Sequence, residues 1–218
     1  MGQYWLVVCP SKCEYTTQSF GGKLSELLFS SWPNILRDLI ENEWAGTQLI
    51  CIGDYLNPDD LPTTIRQDKF HLSSAESGAT SEPLRYDVVE KTFGFWSYEE
   101  EKAATLTVVE KPSNPKSRVL RNLTTGEYFF EDALPSGITI GHIVLMSICW
   151  SSESSTGITG GAYLANGVWP GHKFDIVDAD MVEHMNREWE DVTEDVLDEV
   201  QALWPSDFGY NSETEWRV

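Results

Sequence analysis

The sequence predicts an α+β fold: a two-layer α/β sandwich built from two similar halves about a pseudo-two-fold axis, followed by an acidic C-terminal helix. Three observations lead to this prediction. Short apolar, β-prone runs alternate with segments in which apolar residues have helical spacing. A pattern of strand, turn, helical segment and tryptophan–glycine turn occurs twice. From Asp178 onward the chain carries 13 acidic and 2 basic side chains, a net charge of −11.

The first half, residues 1–111, is predicted to combine strands and helices. Its strand candidates are the β-prone runs at residues 4–9, 49–52, 86–89 and 105–109. Two helical stripes lie between the first two strands. The first stripe consists of Leu24, Leu27 and Leu28, and the second, which follows Pro33, of Ile35, Leu36, Leu39 and Ile40.

The second half, residues 117–178, has the same kinds of element. Residues 118–123 and 127–130 predict a hairpin around Thr124-Thr125-Gly126, and residues 174–177 predict another strand. Residues 138–150 could form a strand or a helix, and their length favours a buried helix.

The third segment, residues 179–218, is predicted to be the acidic helix and tail. A sequence typical of a capping box, Asp191-Val192-Thr193-Glu194, opens the helix, and Pro205 ends it. We expect the three segments to form one compact unit, with the valines of the helix docked and its carboxylates in solvent.

The internal repeat locates a candidate cleft. Residues 44–52 and 169–177 share the pattern Trp-x-Gly-x-x-apolar-x-apolar-apolar at an offset of 125, while residues 6–15 resemble residues 119–128 at an offset of 113. An insertion of 12 residues in the loop at 151–161 would account for the difference. Chance similarity is the alternative. If the repeat is real, the interface between the copies is the expected cleft, with Trp44 and Trp169 in equivalent positions.

Composition and charge exclude several classes of protein. With 35 acidic against 15 basic residues, the net charge of −20 argues against a nucleic-acid module. No apolar run approaches the roughly 18 residues of a membrane span, and the first residues match neither a signal peptide nor a myristoylation site. We therefore expect a cytoplasmic protein. The familiar nucleophile, zinc-protease and dinucleotide motifs do not occur, which makes an enzyme less favoured.

Two histidines are candidate metal ligands. His142 begins an apolar segment in which an imidazole needs a partner, and His172 follows the second Trp-Pro-Gly turn. Neutral imidazoles together with the carboxylate of Glu127 or Asp175 suit a divalent metal such as zinc. The alternative is that each histidine is an ordinary core or surface residue.

The aromatic residues provide candidate walls for a planar ligand. Nine tryptophans are more than an average chain of 218 residues contains, and most of them can be explained as core filling. Flat aromatic walls would also exclude water from a conjugated ring. Our candidates are Trp44, Trp150, Tyr163 and Trp169.

Five stretches suggest a family. They are Met1-Gly-Gln-Tyr-Trp5, residues 44–55, residues 119–128, Ile140-Gly-His142 with Ile148-Cys-Trp-Ser-Ser152, and Trp169-Pro-Gly-His-Lys-Phe-Asp-Ile176. Together they resemble a family of mushroom (basidiomycete) proteins, mostly without assigned function, that includes the pink chromoprotein of oyster mushrooms. The family more often has Ala-Gly-Asp-Arg after the second tryptophan, where this chain has Pro-Gly-His-Lys. The resemblance covers most of residues 1–178, and no motif in it is catalytic.

The resemblance implies an apoprotein that binds a small indolone-type chromophore together with a metal ion. An anionic pigment would need local cations in a chain of this charge, and Arg121, Arg118 or the metal could supply them. We therefore predict a pigment-binding chromoprotein whose partner is a small molecule. Two alternatives stay open: a metal-dependent enzyme that uses the same cleft, and an interaction module that acts through the acidic helix. The oligomeric state is open.

Overall fold

The computed structural model describes residues 3–16, 23–66, 70–71, 81–82, 84–92, 94–95, 117–152, 166–184 and 188–203. In these ranges helices combine with two mixed β-sheets, so the chain has an α+β fold, as predicted. The described strands are β1 (Trp5–Cys9), β2 (Glu14–Thr16), β3 (Ile50–Gly53), β4 (Phe70–His71), β5 (Ser81–Glu82), β6 (Gly94–Phe95), β7 (Arg118–Asn122), β8 (Glu127–Phe130), β9 (Cys149–Trp150), β10 (Phe174–Asp178) and β11 (Glu190–Asp191). The described helices are α1 (Leu24–Leu28), α2 (Trp32–Glu41), α3 (Thr63–Arg66), α4 (Tyr86–Thr92), α5 (Ile140–Ser147) and α6 (Thr193–Leu203).

The two sheets are built alike. The first has the order β6-β2-β1-β3-β9 and the second the order β10-β7-β8-β11. In each, three antiparallel strands form the centre, and short strands extend it in parallel: β6 on β2, β9 on β3 and β11 on β8. The strand β9 thus joins a segment of the second half to the first sheet.

The pairing registers of the two sheet centres match. Trp5 pairs with Gly53 in the first centre, and Arg118 pairs with Asp178 in the second. Adding 113 to residues of β1 and β2, and 125 to residues of β3, converts every cross-strand pair of the first centre into a pair of the second. These are the offsets of the sequence repeat.

The larger hydrophobic core lies between the two sheets and helices α1, α2, α5 and α6. Alternate residues of β1 enter different cores because successive strand side chains point to opposite faces. Trp5 and Val7 belong to the larger core, whereas Leu6 and Val8 belong to a second core that includes residues of α3 and α4. The first sheet is therefore covered on both faces, which adds a layer to the predicted two-layer sandwich.

Helices α2 and α5 pack closely against each other. Gly141 lies so near the backbone of α2 that an added Cβ would collide with the carbonyl oxygen of Pro33. The predicted apolar stripe of α2 is buried, as its spacing requires.

Two element predictions differ from the structure. Residues 86–89 form the start of helix α4 instead of a strand; their run is too short for periodicity to decide, and Val89 is buried in the second core. Residues 138–150 contain the predicted helix, but it ends at Ser147 and is followed by β9. The strand predicted at residues 105–109 lies outside the described residues.

Candidate functional site

An open cavity of about 430 Å³ lies beside the second tryptophan–glycine turn. Its described lining is formed by residues 60–64, Trp150, Gly167, Val168, Pro170 and His172. The lining therefore comes from the segment after β3, from β9 and from the turn before β10. This volume is within the range of about 300–1,000 Å³ that is usual for small-molecule sites.

The turn is fixed by its glycine and by a threonine of α3. Gly171 has a φ of 79°, which a residue with a side chain rarely adopts. Its N–H donates to the carbonyl of Leu49 at 2.7 Å, and the Thr64 hydroxyl donates to the carbonyl of Pro170 at 2.9 Å. An added Cβ at Gly171 would be 2.6 Å from the side chain of Ile65. The cavity wall thus depends on close contact between the turn and α3.

Trp150 gives the cavity a flat aromatic surface. Its indole N–H donates to the carbonyl of Asp60 at 2.7 Å, which joins β9 to the segment after β3. The side chain is partly buried, and its one polar atom is already used. Trp150 can therefore contact a ligand through its ring but has no hydrogen-bond donor left for it.

His172 is held by Asn122. The Oδ1 atom of Asn122 accepts from the backbone N–H groups of Thr124 and Thr125 at 3.1 and 3.4 Å. This assigns Nδ2 of Asn122 as the donor to Nδ1 of His172, at 3.0 Å. Because Nδ1 accepts, the proton of the neutral ring is on Nε2.

The environment of His172 favours this neutral ring. Burial lowers the pKa of His172, and the nearby Glu127 carboxylate opposes the shift. The ring is stacked near Phe174, with 6.5 Å between the ring centroids. His172 is therefore a neutral group beside the cavity, with Nε2–H as its donor.

His142 has a structural role at the start of α5. Its Nδ1 accepts from the backbone N–H of Thr139 at 3.0 Å, which completes a capping box. The ring also forms a hydrogen bond with the backbone of Leu28. Because Nδ1 is the acceptor for Thr139, Nε2–H is the donor that remains for this bond. Burial lowers the pKa of His142 to about 4, and the bond to Leu28 opposes the shift.

The predicted metal ligands do not fit a metal centre as they are placed. Both nitrogens of His142 are used, Nδ1 of His172 is used, and Glu127 accepts from the Thr125 hydroxyl at 2.6 Å. In the described part of the chain, no three His, Cys, Asp or Glu side chains come close enough to hold a metal ion. Nε2 of His172 is the nitrogen of the two rings that no described residue uses, and the presence of a metal stays a prediction.

The other predicted site residues are dispersed. Trp44 is fully buried, and its Nε1 donates to Glu14 at 2.7 Å. Trp169 belongs to the larger core, with its ring centroid 5.9 Å from that of Phe174. Arg121 donates to both carboxylate oxygens of Asp175, at 2.7 and 2.5 Å. The structure thus brings Trp150 and His172 to one cavity, leaves these three outside its described lining, and does not describe Tyr163.

The two arginines predicted to balance the charge of an anionic pigment are not in the described lining of the cavity. Arg121 also stacks on Trp189, 5.5 Å from its ring centroid. Arg118 contacts Glu41 and Asp178, each at 2.6 Å. Both guanidinium groups are therefore paired with carboxylates of the protein itself.

Sequence reasoning missed Asn122 and the segment at residues 60–64. Asn122 had a usable signal, because Asn122-Leu123-Thr124 is typical of a turn in which the asparagine side chain accepts from the backbone. The approach of residues 60–64 to β9 is a long-range contact that local sequence does not indicate.

Comparisons give no family assignment. No family model, no curated protein and no solved structure matches this chain. None of the helices in the described residues is both long and apolar enough to cross a membrane. The resemblance to the mushroom family stays a prediction.

Proposed function

We propose that this chain is a cytoplasmic, non-enzymatic carrier that binds a planar small molecule in the cavity between Trp150 and His172. The observation that carries the proposal is a cavity of about 430 Å³ that combines an indole wall with an accessible imidazole. Sites for small molecules generally combine apolar walls with a few oriented polar groups. A pigment of the indolone type is the ligand that the family resemblance suggests.

We also infer that the two halves are related by a pseudo-two-fold axis near the Gln48–Lys173 bridge. These residues differ by 125 and pair with each other. On either side, Gly46 N–H donates to the carbonyl of Phe174, and Gly171 N–H donates to that of Leu49, each at 2.7 Å. Gly46 corresponds to Gly171 and Leu49 to Phe174 at the offset of 125. Each of the two bonds is therefore the counterpart of the other, as a two-fold axis requires. Such an axis supports a ligand site at the junction of the halves.

The reaction chemistry of an enzyme has less support. In the described cavity lining, Asp60 and His172 are the acid–base candidates, and the Thr64 hydroxyl is used by Pro170. A nucleophile activated by an adjacent base would need a contact that these residues do not make. We therefore favour binding over catalysis.

The first experiment measures what the protein carries. We expect protein purified from its native source to show a visible absorption band that co-elutes with the chain, and metal analysis of the same sample tests the metal prediction. A colourless sample would contradict the pigment part of the proposal.

A variant then tests the location. Trp150→Ala should weaken rebinding of the extracted chromophore about fivefold or more, because loss of one stacking partner typically costs about 1–3 kcal/mol. Trp189→Ala is the matched control, since it also removes a partly buried indole but leaves the described cavity lining unchanged. Equal loss in both variants would argue against this cavity.

A further inference from the structure

The hydrogen-bond donors around the cavity are unequally available. Trp150 Nε1 and the Thr64 hydroxyl already donate to backbone carbonyls. Nε2 of His172 is neither bonded to a described residue nor among the described buried polar atoms that lack a partner. It is therefore accessible. The described lining therefore leaves two side-chain donors for a ligand, Nε2–H of His172 and the exposed hydroxyl of Thr63.

We propose that Asn122 and His172 determine the specificity of the cavity: Asn122 holds the proton on Nε2 of His172, and Nε2–H selects planar, uncharged ligands that carry a hydrogen-bond acceptor such as a ring carbonyl. This inference rests on the proposed function and names the ligand class of that site. Asn122 is a positioning residue, and His172 is the residue that contacts the ligand.

The direction of the Asn122 amide is what makes this inference specific. If the amide were reversed, its NH₂ group would face the N–H groups of Thr124 and Thr125, and two donors would face each other. The backbone turn therefore fixes the amide, and the amide fixes the imidazole. His172 consequently presents a donor, which matches a carbonyl or an unprotonated ring nitrogen.

The charge of the lining argues for an uncharged ligand. Asp60 is exposed at the cavity and forms no ion pair within the described residues. The whole chain has a net charge of −20. The negative charge would repel an anionic ligand, and the described lining has no cation to compensate. A neutral ligand with a hydrogen-bond acceptor would not be repelled.

The corresponding position in the first half lacks this arrangement. By the two offsets, Cys9 and Thr47 correspond to Asn122 and His172. The Thr47 hydroxyl donates to the carbonyl of Trp44 at 2.6 Å, and the Cys9 thiol donates to Thr47 at 3.3 Å. The hydroxyl and the thiol of this pair both donate within the protein. Of these two equivalent pairs, only Asn122 and His172 leave a donor for a ligand.

The test uses two probes of nearly the same shape, 9-fluorenone, which has a ring carbonyl, and fluorene, which lacks it. Binding is followed by the shift of the Trp150 indole N–H signal in NMR spectra of ¹⁵N-labelled full-length protein. We expect fluorenone to bind about 3- to 10-fold more tightly than fluorene, the range expected for one net hydrogen bond. Independently, the ¹⁵N shifts of the His172 ring should identify the Nε2–H tautomer without any ligand.

Three variants separate the donor from the shape of the site. His172→Gln keeps an N–H donor near the Nε2 position and should retain the preference for fluorenone, whereas His172→Phe should abolish it. Thr63→Val is the matched control, which removes the other available donor and should leave the preference unchanged. Asn122→Asp presents an acceptor to Nδ1 and raises the pKa of His172; measured at a pH at which the ring is still neutral, the proton should move to Nδ1 and the preference should fall.

The outcomes distinguish this inference from the proposed function. If neither probe shifts the Trp150 signal, the proposed function fails and the inference fails with it. If both bind equally, the cavity is a binding site, but the donor does not select the ligand. A ring that carries its proton on Nδ1 in the unliganded wild type would overturn the inference whatever the probes do.

Discussion

Replacement of His142 by glutamine should remove a specific part of the pH dependence of stability. His142 is the N3 residue of the capping box at the start of α5, and it accepts from the backbone N–H of Thr139. Glutamine at N3 can accept the same bond through its side-chain carbonyl. The variant therefore keeps the cap and loses the titration.

The magnitude follows from the pKa of His142. Burial lowers this pKa from 6.5 to about 4 in the folded protein. The unfolded chain then binds the additional proton between these two values, so the free energy of unfolding falls as the pH falls through this window. With 1.36 kcal/mol per pKa unit, the wild type should lose about 2 kcal/mol between pH 7 and pH 5, and about 3 kcal/mol by pH 4, from this group.

Urea unfolding at pH 7, 6, 5 and 4 measures this loss in both proteins. Burial also raises the pKa of carboxyls such as Asp38, but such contributions are shared and cancel in the difference between wild type and variant. The replacement has a constant cost of its own, so only the change of the difference with pH is diagnostic. Parallel curves for the two proteins would refute a buried, neutral His142, and so would a wild type that gains on the variant as the pH falls.

Three further predictions concern positions where the structure sets a clear magnitude, each checked by urea unfolding against wild type. Gly171→Ala should cost about 1–3 kcal/mol more than Gly46→Ala: both residues have positive φ, but only at Gly171 would the new Cβ collide with side chains of α3, and equal costs would contradict the contact between turn and helix. Gly141→Ala should cost about 3 kcal/mol or more, because the Cβ would collide with a backbone carbonyl of α2, and a cost below 1 kcal/mol would refute the helix contact. Trp44→Phe should cost about 2 kcal/mol, because the buried indole loses its bond to the Glu14 carboxylate, and a silent substitution would show that this bond contributes nothing.

Local patterns predicted the elements that carry their own signals. The hairpin of β7 and β8 was predicted from its turn residues, and Gly126 has the positive φ that such a turn requires. Helix α2 was predicted from an apolar stripe at helical spacing. In both cases the residues that determine the structure lie within a few positions of one another.

Elements fixed by distant contacts were predicted less well. The two residues of β9 continue an apolar helix in sequence, and they form a strand because they pair in parallel with Cys51 and Ile52 of β3. Helix α4 is short, and its valines are β-prone, yet Val89 is buried in the second core beside the first sheet. In both places tertiary packing overrides the local propensity.

The candidate site was predicted in part for the same reason. The Trp-Pro-Gly turn indicated that His172 lies beside a cleft, and His172 does line the cavity. The sequence could not show that its partner is Asn122, because that contact spans 50 residues and its direction depends on the Asn122 turn. From the sequence alone, a neutral imidazole at this position suggested a metal ligand. The bond from Asn122 to Nδ1 instead leaves Nε2–H of His172 as a hydrogen-bond donor.

The two halves differ in chemistry at the candidate site. Matching registers mean that the two halves offer equivalent positions, so a difference in chemistry between equivalent positions does not arise from backbone differences in the sheet centres. At one such pair of positions the first half has Cys9 and Thr47, which bond to each other and to the backbone. The second half has Asn122 and His172, where the internal bond leaves a donor facing outward. A binding role requires such a donor beside the cavity, and loss of probe discrimination in Asn122→Asp, at a pH at which the ring is neutral, is the result that would connect the two.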